Sequence, residues 1–440
     1  MVWVLNVRSR WFGVAFAITA CPSRALALEP DVAAGPIAPA PVPPPTGASP
    51  SSDATKAPLF APNRNEFILV PDLGGNTDVG VELGLSLSMA GFRPNYYPFA
   101  WRVSALSLMS FKDDIRGFRP VQQFHGVRID LPQLFSPKVR LDVRLNFLRT
   151  VNALWYGIGN DTHADHAPAP PGAGSANEYT SESVRLRSIL RLKTGTLIDF
   201  AAATNLRYEF PTLYPGSKIA SDVAAGYVTG GTPAFLETLS EGFIVDTRDS
   251  EFATHRGIYY QVGVGETIGS AESVSFGEVS AVLAHYVPLG RHVVFANRLI
   301  GSYKWGNIPF YELETAGVFD PFILLGGDRG LRGIPGGRFA GPLKVLTNNE
   351  LRVTVIPRFR VWRWSLNVGM DTFFEAGRVF SDFAYREAVD GTGLGVKCST
   401  GGGFFFQWDE SSIFRVEVAY SPSGAGGPPV FYYLSNGLLF

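Results

Sequence analysis

Lys138-Val139-Arg140-Leu141-Asp142-Val143-Arg144-Leu145-Asn146-Phe147 alternates without a slip, with charged or amide side chains at even positions and apolar ones at odd positions. Successive side chains of a strand point to opposite faces, so the stretch predicts a strand with one charged and one greasy face. Ser183 to Lys193 repeats the pattern, with Arg185, Arg187, Arg191 and Lys193 opposite Val184, Leu186, Leu190 and Leu192. Near the carboxyl end, Phe414, Val416, Val418 and Tyr420 oppose Arg415, Glu417 and Ala419. A soluble sandwich also alternates, but its apolar faces close over a small core. Arginine-rich polar faces, many strands and little helix fit a barrel in lipid instead, apolar outside and charged in a wet lumen. Closure of such a barrel pairs every backbone group and leaves no edge in hydrocarbon.

Working outward, about sixteen segments alternate in this way, from Glu66–Leu73 to Val430–Phe440, an even number as antiparallel barrels require. Most reach the roughly nine to eleven residues that a tilted crossing needs. The fold expected is therefore all-β, a transmembrane antiparallel barrel over residues 63–440. Aromatic clusters at Tyr96-Tyr97-Pro98-Phe99-Ala100-Trp101, Trp155-Tyr156, Tyr259-Tyr260, Trp362 with Trp364, and Tyr432-Tyr433 suit the headgroup zone. Simple core packing is the alternative for any one of them. One long connection, Trp305 to Leu343, is dense in glycine, which lets backbone turn sharply and pack closely. The strand after it, Lys344 to Ile356, carries Asn348, Glu350, Arg352 and Thr354 on its polar side. The loop is expected to tuck into the lumen.

Residues 1–27 read as a secretory leader: Arg8 and Arg10, an apolar core from Trp11 to Ala20, then the small-x-small site Ala25-Leu26-Ala27. Ile18-Thr19-Ala20-Cys21 also fits a lipoprotein box, which would make Cys21 a lipidated first residue. Residues 28–62, crowded with proline and alanine, are expected to be an extended tether. No folded soluble domain fits ahead of the barrel. A net charge of −1 gives no reason to expect a nucleic-acid partner. Cys21 and Cys398 are the two cysteines, so leader cleavage leaves no disulfide framework.

At this point the residues resemble a family. Gly326 to Gly341 followed by Asn349-Glu350-Leu351-Arg352 resembles the loop and next strand of the BamA/TamA-like outer-membrane assembly barrels, the "bacterial surface antigen" type. Val245-Asp246-Thr247-Arg248-Asp249 with His255-Arg256-Gly257 resembles a second motif. Phe373-Phe374-Glu375-Ala376-Gly377 resembles a third, usually written with Asp where Glu375 stands. Trp155-Tyr156-Gly157-Ile158-Gly159-Asn160 is similar to a motif of compact members. The resemblance implies that Arg332, in the tip Leu331-Arg332-Gly333-Ile334, enters the lumen and pairs with Glu375 on the strand after next. Ile334 stands where the family has an aromatic. Asp328 and Gly333 are expected to share the latch, with Glu350 and Arg352 on the lumen wall. The terminal Phe440 resembles a targeting signal of outer-membrane barrels. The implied role is insertion or translocation of protein, or of another cargo, across the outer membrane. Outer-membrane lipid would surround the barrel, and a periplasmic partner would replace the missing client-binding domains. The rival is a passive pore or structural barrel.

Structural readings stand beside these. Arg332 and Glu375 would also serve as a mere plug. Asp246, Arg248 and Asp249 suit turn or lumen structure, and Arg185, Arg187, Arg191 and Lys193 either bias the lumen towards anions or are matched by acids on neighbouring strands. His163 and His166 lack further ligands at zinc spacing, so no metal is expected. No G-x-S-x-G, H-E-x-x-H or Walker A pattern is present, and neither enzyme activity nor a cofactor is expected.

Overall fold

The computed structural model of the chain describes residues 63–440 except 97–98, 196, 252, 362–363, 383–385, 409–411, 423–427 and 437. The leader, the tether, Cys21, Tyr97, Pro98, Trp362 and Gly437 thus lie outside the described residues, as does the side chain of Trp364. Alternation of the kind quoted above yields sixteen wall strands. The first eight are β1 (Arg64–Asn76), β2 (Gly80–Phe92), β3 (Trp101–Asp114), β4 (Gly117–Leu131), β5 (Val139–Leu154), β6 (Glu178–Lys193), β7 (Ile198–Glu209) and β8 (Ala234–Asp246). The second eight are β9 (Gly257–Gly269), β10 (Ser275–Pro288), β11 (Val293–Asn307), β12 (Leu343–Val361), β13 (Trp364–Phe380), β14 (Lys397–Trp408), β15 (Ser412–Tyr420) and β16 (Val430–Asn436). Each pairs antiparallel with its sequence neighbours, and β1 also meets β16, closing the barrel. The closure is short: β1 and β16 are in register only at Gly75–Leu434 and Asn76–Tyr433, whereas β1 and β2 pair along their whole length.

Polarity is inverted relative to a soluble protein. Leu83, Leu145, Phe243, Val264, Phe374 and Val418 are exposed on the outer face, while Asp142, Arg187, Glu278, Lys304, Lys344 and Arg415 are buried inside. This is the arrangement expected of a barrel whose outer face meets lipid and whose lumen is wet. Among the described residues no helix is long and apolar enough to cross a membrane, so any crossing is made by strands.

The long connection begins three residues later than expected, because Trp305 still belongs to β11, paired with Gly277 of β10. From Ile308 to Pro342 it runs through a turn at Phe310–Glu312 and a short hairpin, Thr315–Ala316 with Phe322–Ile323. It carries its own apolar face: Leu324, Leu325, Leu331, Ile334 and Phe339 pack on Ile300, Leu346 and Val379 of the wall. A second apolar cluster, of Trp155, Tyr179, Ile219 and Phe310, holds its other side. Ile219 comes from a short helix, α1 (Lys218–Ala224), capped by the Ser217 hydroxyl, that the strand pattern gave no reason to expect.

Three sequence expectations are corrected here. Trp155 and Tyr156 are not at a headgroup surface: Trp155 is fully buried, its Nε1 donating to Asp222 at 2.8 Å, and the Tyr156 ring carries the Arg338 guanidinium. Phe99 and Tyr433 are likewise buried. Tyr433 faces inward because its neighbour Tyr432 takes the outward position of the same strand. The last strand stops at Asn436, and Phe440 leaves the wall to lie inside the barrel, its ring beneath the guanidiniums of Arg298 (4.8 Å) and Arg352 (5.0 Å). Stacking of an aromatic face under a cation favours this inward turn over continued pairing.

Candidate functional site

The site is built by the loop tip and the inner faces of β12, β13, β15 and β16. Gly326 (φ +131°) opens the tip, where a β-carbon would sit 2.1 Å from the Pro335 carbonyl oxygen; only glycine fits. The tip is tied across by Gly327 N–H to the Ile334 carbonyl (3.0 Å) and Leu331 N–H to the Leu324 carbonyl (3.1 Å). This aims Arg332 at the wall.

Arg332 is wholly buried and spends its donors on three carboxylates. Nε donates to Glu375 Oε1 at 2.8 Å, Nη1 to Glu417 Oε1 at 2.8 Å, and Nη2 to Glu350 Oε1 at 2.7 Å. Its backbone N–H adds a bond to Glu375 Oε2 at 2.6 Å. The guanidinium plane also lies 3.5 Å above the Phe373 ring centre. Burial alone would lower the guanidinium pKa, but Glu375, Glu417 and Glu350 together push it well above the ordinary arginine value. Charge is balanced residue by residue: Arg352 donates to Glu350 at 2.8 Å through Nε, and Arg415 Nη1 to both Glu417 oxygens at 3.1 Å. Glu375 has no second arginine; Asn348 Nδ2 (2.9 Å) and Ser399 Oγ (3.3 Å) complete its shell. Gly333 (φ +78°) packs against Ala419, and its N–H donates to the Tyr433 hydroxyl at 2.8 Å.

The structure therefore brings together Arg332, Gly333, Glu350, Arg352 and Glu375, and adds Glu417, Asn348 and Tyr433, which the sequence reading did not place there. Glu417 carried a signal, since its alternation with Val416 and Val418 turns it inward. Asp328 does not join. Its backbone carbonyl accepts from Arg415 at 3.5 Å, while its side chain faces the open part of the lumen, because the tip turns between Asp328 and Arg332. Asp246, Arg248 and Asp249 lie elsewhere, Asp246 at the end of β8 and the other two in the turn to β9. There Arg248 Nε donates to Asp246 at 2.9 Å and Asp249 accepts the His255 and Arg256 N–H groups. Among the described residues no group of His, Cys, Asp or Glu is placed to hold a metal.

The loop is also tied to the opposite wall, with the polarity reversed. Asp320 takes Arg187 of β6 at 2.7 Å and Arg144 of β5 at 3.5 Å, and Glu312 takes Arg207 of β7 and Lys304 of β11. The arginines of β6 are thus matched partly by the loop rather than by neighbouring strands alone; Arg191 is matched by Asp199 of β7 at 2.7 Å. Burial raises the Asp320 carboxyl, but Arg187, Arg329 and Arg144 outweigh it and hold it well below the usual carboxylate range. A depressed carboxyl contributes stability that is present above its unfolded pKa and lost as pH falls. Asp78, in the turn between β1 and β2, has the opposite sign. It accepts the Gly336 N–H at 2.9 Å, and burial raises it to about 6, so its contribution falls as pH rises to that value. Loop protection against hydrogen exchange should accordingly weaken below about pH 4. Asp320→Asn should reduce that acid dependence, with the cation-paired Glu312 of the same loop carrying another share, and Asp78→Asn should flatten the decline between about pH 4 and 6.

No family model matches the chain, and no curated protein matches it. Solved structures do. The barrel of BamA from Haemophilus ducreyi lacking POTRA domains 1–3 superposes with a TM-score of 0.55 at 14% identity, over 85% of this chain and 70% of that one. CdiB from Escherichia coli gives 0.53 at 12%, over 87% and 64%. CdiB from Acinetobacter baumannii gives 0.50 at 12%, over 86% and 60%, so the chain spans less than two thirds of either CdiB. What is shared is the fold: this chain is a BamA-like sixteen-stranded antiparallel barrel.

Proposed function

We propose that the chain is an integral outer-membrane barrel that assists insertion or translocation of protein across that membrane, with the Arg332 tip latched in the lumen on Glu375, Glu350 and Glu417. The observation that carries the reading is the buried arginine shared by three carboxylates from three different wall strands. A charge-assisted cluster that reaches three carboxylates fixes direction as well as distance. It makes the loop a brace between the wall beside the closure and the loop's own apolar face. The short register between β1 and β16 supports the rest, since a wall with two ladder pairs among the described residues, helped by bonds from Thr77 to Tyr432 and from Asn436 to Asp72, opens at less cost than one paired throughout. Cargo strands would then be offered a free edge, the usual template for strand addition. The reading assigns the chain no catalytic chemistry and no cofactor. It places lipid around the outer face and a periplasmic partner at the tether.

Asn436 Nδ2 bridges the closure to Asp72, at 2.8 and 2.9 Å from its two oxygens. With Asp72→Cys and Asn436→Cys joined by a short thiol cross-linker, proteoliposomes should lose most of their ability to speed folding of denatured outer-membrane proteins, and cleaving the linker should restore it. Unchanged acceleration in the cross-linked form would remove the closure from the mechanism. No acceleration by the unlinked protein, with steady conductance, would favour the passive pore.

A further inference from the structure

On the basic wall opposite the latch, one of four clustered arginines has no ion-pair partner among the described residues. Arg185 of β6 stands opposite Arg207 of β7 and Asn146 of β5, while Arg187, two residues on, stands opposite Arg144 and Asn205. Four guanidiniums thus share one inner patch, and like charges placed opposite each other on a sheet repel. Three of them are answered: Arg187 by Asp320 at 2.7 Å, Arg144 by Asp142 at 2.6 Å, and Arg207 by Glu312. Among the described residues Arg185 makes no hydrogen bond or ion pair. Beside it, the Nε–H of Arg187, a side chain only 6% exposed, is buried without an acceptor, while Arg207 Nε lies 3.5 Å from Glu209 Oε2. Buried donors in folded proteins are nearly always satisfied, by water or an ion where no protein group serves.

All four arginines line one lumen chamber of about 800 Å³. Of its acids, Glu82 accepts from Ser110, Glu178 is paired with Arg116 at 3.0 Å, Asp320 with Arg187 at 2.7 Å and Glu209 with Arg207 at 3.5 Å, Asp78 accepts the Gly336 N–H, and Glu314 and Asp328 form no ion pair with Arg185. We propose that Arg185, with the free Nε–H group of Arg187, forms a lumenal site for a phosphate-like oxyanion. The guanidinium fork suits the paired oxygens of phosphate better than a spherical ion such as chloride. Because inward-facing residues build the chamber, the ligand is a soluble one. The site depends only on the barrel and holds whether or not the chain handles protein cargo.

The test uses the full chain in zwitterionic detergent, titrated with inorganic phosphate against chloride at matched ionic strength. Heat of binding and the thermal unfolding midpoint are read together. The wild type should show a saturable, phosphate-specific response. Arg185→Gln should weaken it at least tenfold, and Arg185→Lys should keep part of it. Arg149→Gln, at an outward position paired with Glu182, should leave it unchanged. An equal phosphate response in Arg185→Gln, or no saturable response in the wild type, overturns the site. Should Arg185→Gln fail to fold, a wild-type level of response in Arg185→Lys to phosphate and chloride alike would overturn it too.

Discussion

Replacing Arg332 by alanine is expected to free the tip and to cost on the order of 3–5 kcal/mol of barrel stability. The loss is uneven across the cluster. Glu350 keeps Arg352 and Glu417 keeps Arg415, but Glu375 is left without a cation, held by Asn348, Ser399 and the backbone N–H of residue 332 in a fully buried position. A lone buried carboxylate neutralises or destabilises its surroundings. Arg332→Ala combined with Glu375→Gln should therefore be more stable than Arg332→Ala alone, a coupling that a double-mutant cycle reads directly. Arg332→Lys should fall between, because an ammonium cannot reproduce the fork that reaches three carboxylates at once. Hydrogen exchange of residues 326–341 and the denaturation midpoint supply both readouts. Unchanged exchange in Arg332→Ala would show that the apolar face of the loop holds the tip without the arginine.

Trp155→Ala should be about as damaging, by about 3–5 kcal/mol, for a different reason. The indole sits edge-on to Phe310 at 5.5 Å, Phe310 meets Tyr179 at 5.0 Å, and the indole N–H is satisfied by Asp222. Truncation opens a cavity beneath the first turn of the loop and leaves the Asp222 carboxylate with Lys218 as its remaining side-chain partner. Just beyond, Gly159 N–H donates to the Ala340 carbonyl at 2.8 Å, so the same segment also clasps the far end of the loop. Exchange should rise around residues 308–316 while the Arg332 tip stays protected. If both regions loosen together, the loop behaves as one cooperative unit rather than as a brace with two independent feet.

The wall was legible in the sequence because a period of two is local: Arg140 and Leu141 declare their faces whatever lies across the barrel. The partnership of Arg332 with Glu375 came through a resemblance, not through spacing. Glu417 and Tyr433 stand 85 and 100 residues from their loop partners, and nothing in a strand pattern ranks one inward acid above another. Asp320 and Glu312 escaped notice for the same reason, lying in a segment with no periodicity. Trp155 and Phe440 misled because each sits where a strand ends, and there an aromatic turns outward to headgroups or inward to a loop with equal ease. Only the packed neighbours, Phe310 in one case and Arg298 with Arg352 in the other, decide it.

The claim beneath all of this is that lipid covers the outer face while a charged lumen encloses the braced loop. Single cysteines placed at Leu83, Val264 and Val418, and separately at Asn146 and Ser181, in a background with the native cysteines changed to serine, test it in proteoliposomes. A membrane-impermeant maleimide should leave the first three unlabelled and modify the last two, which line the chamber. Ready labelling of Leu83→Cys, Val264→Cys and Val418→Cys, with Asn146→Cys and Ser181→Cys protected, would contradict it.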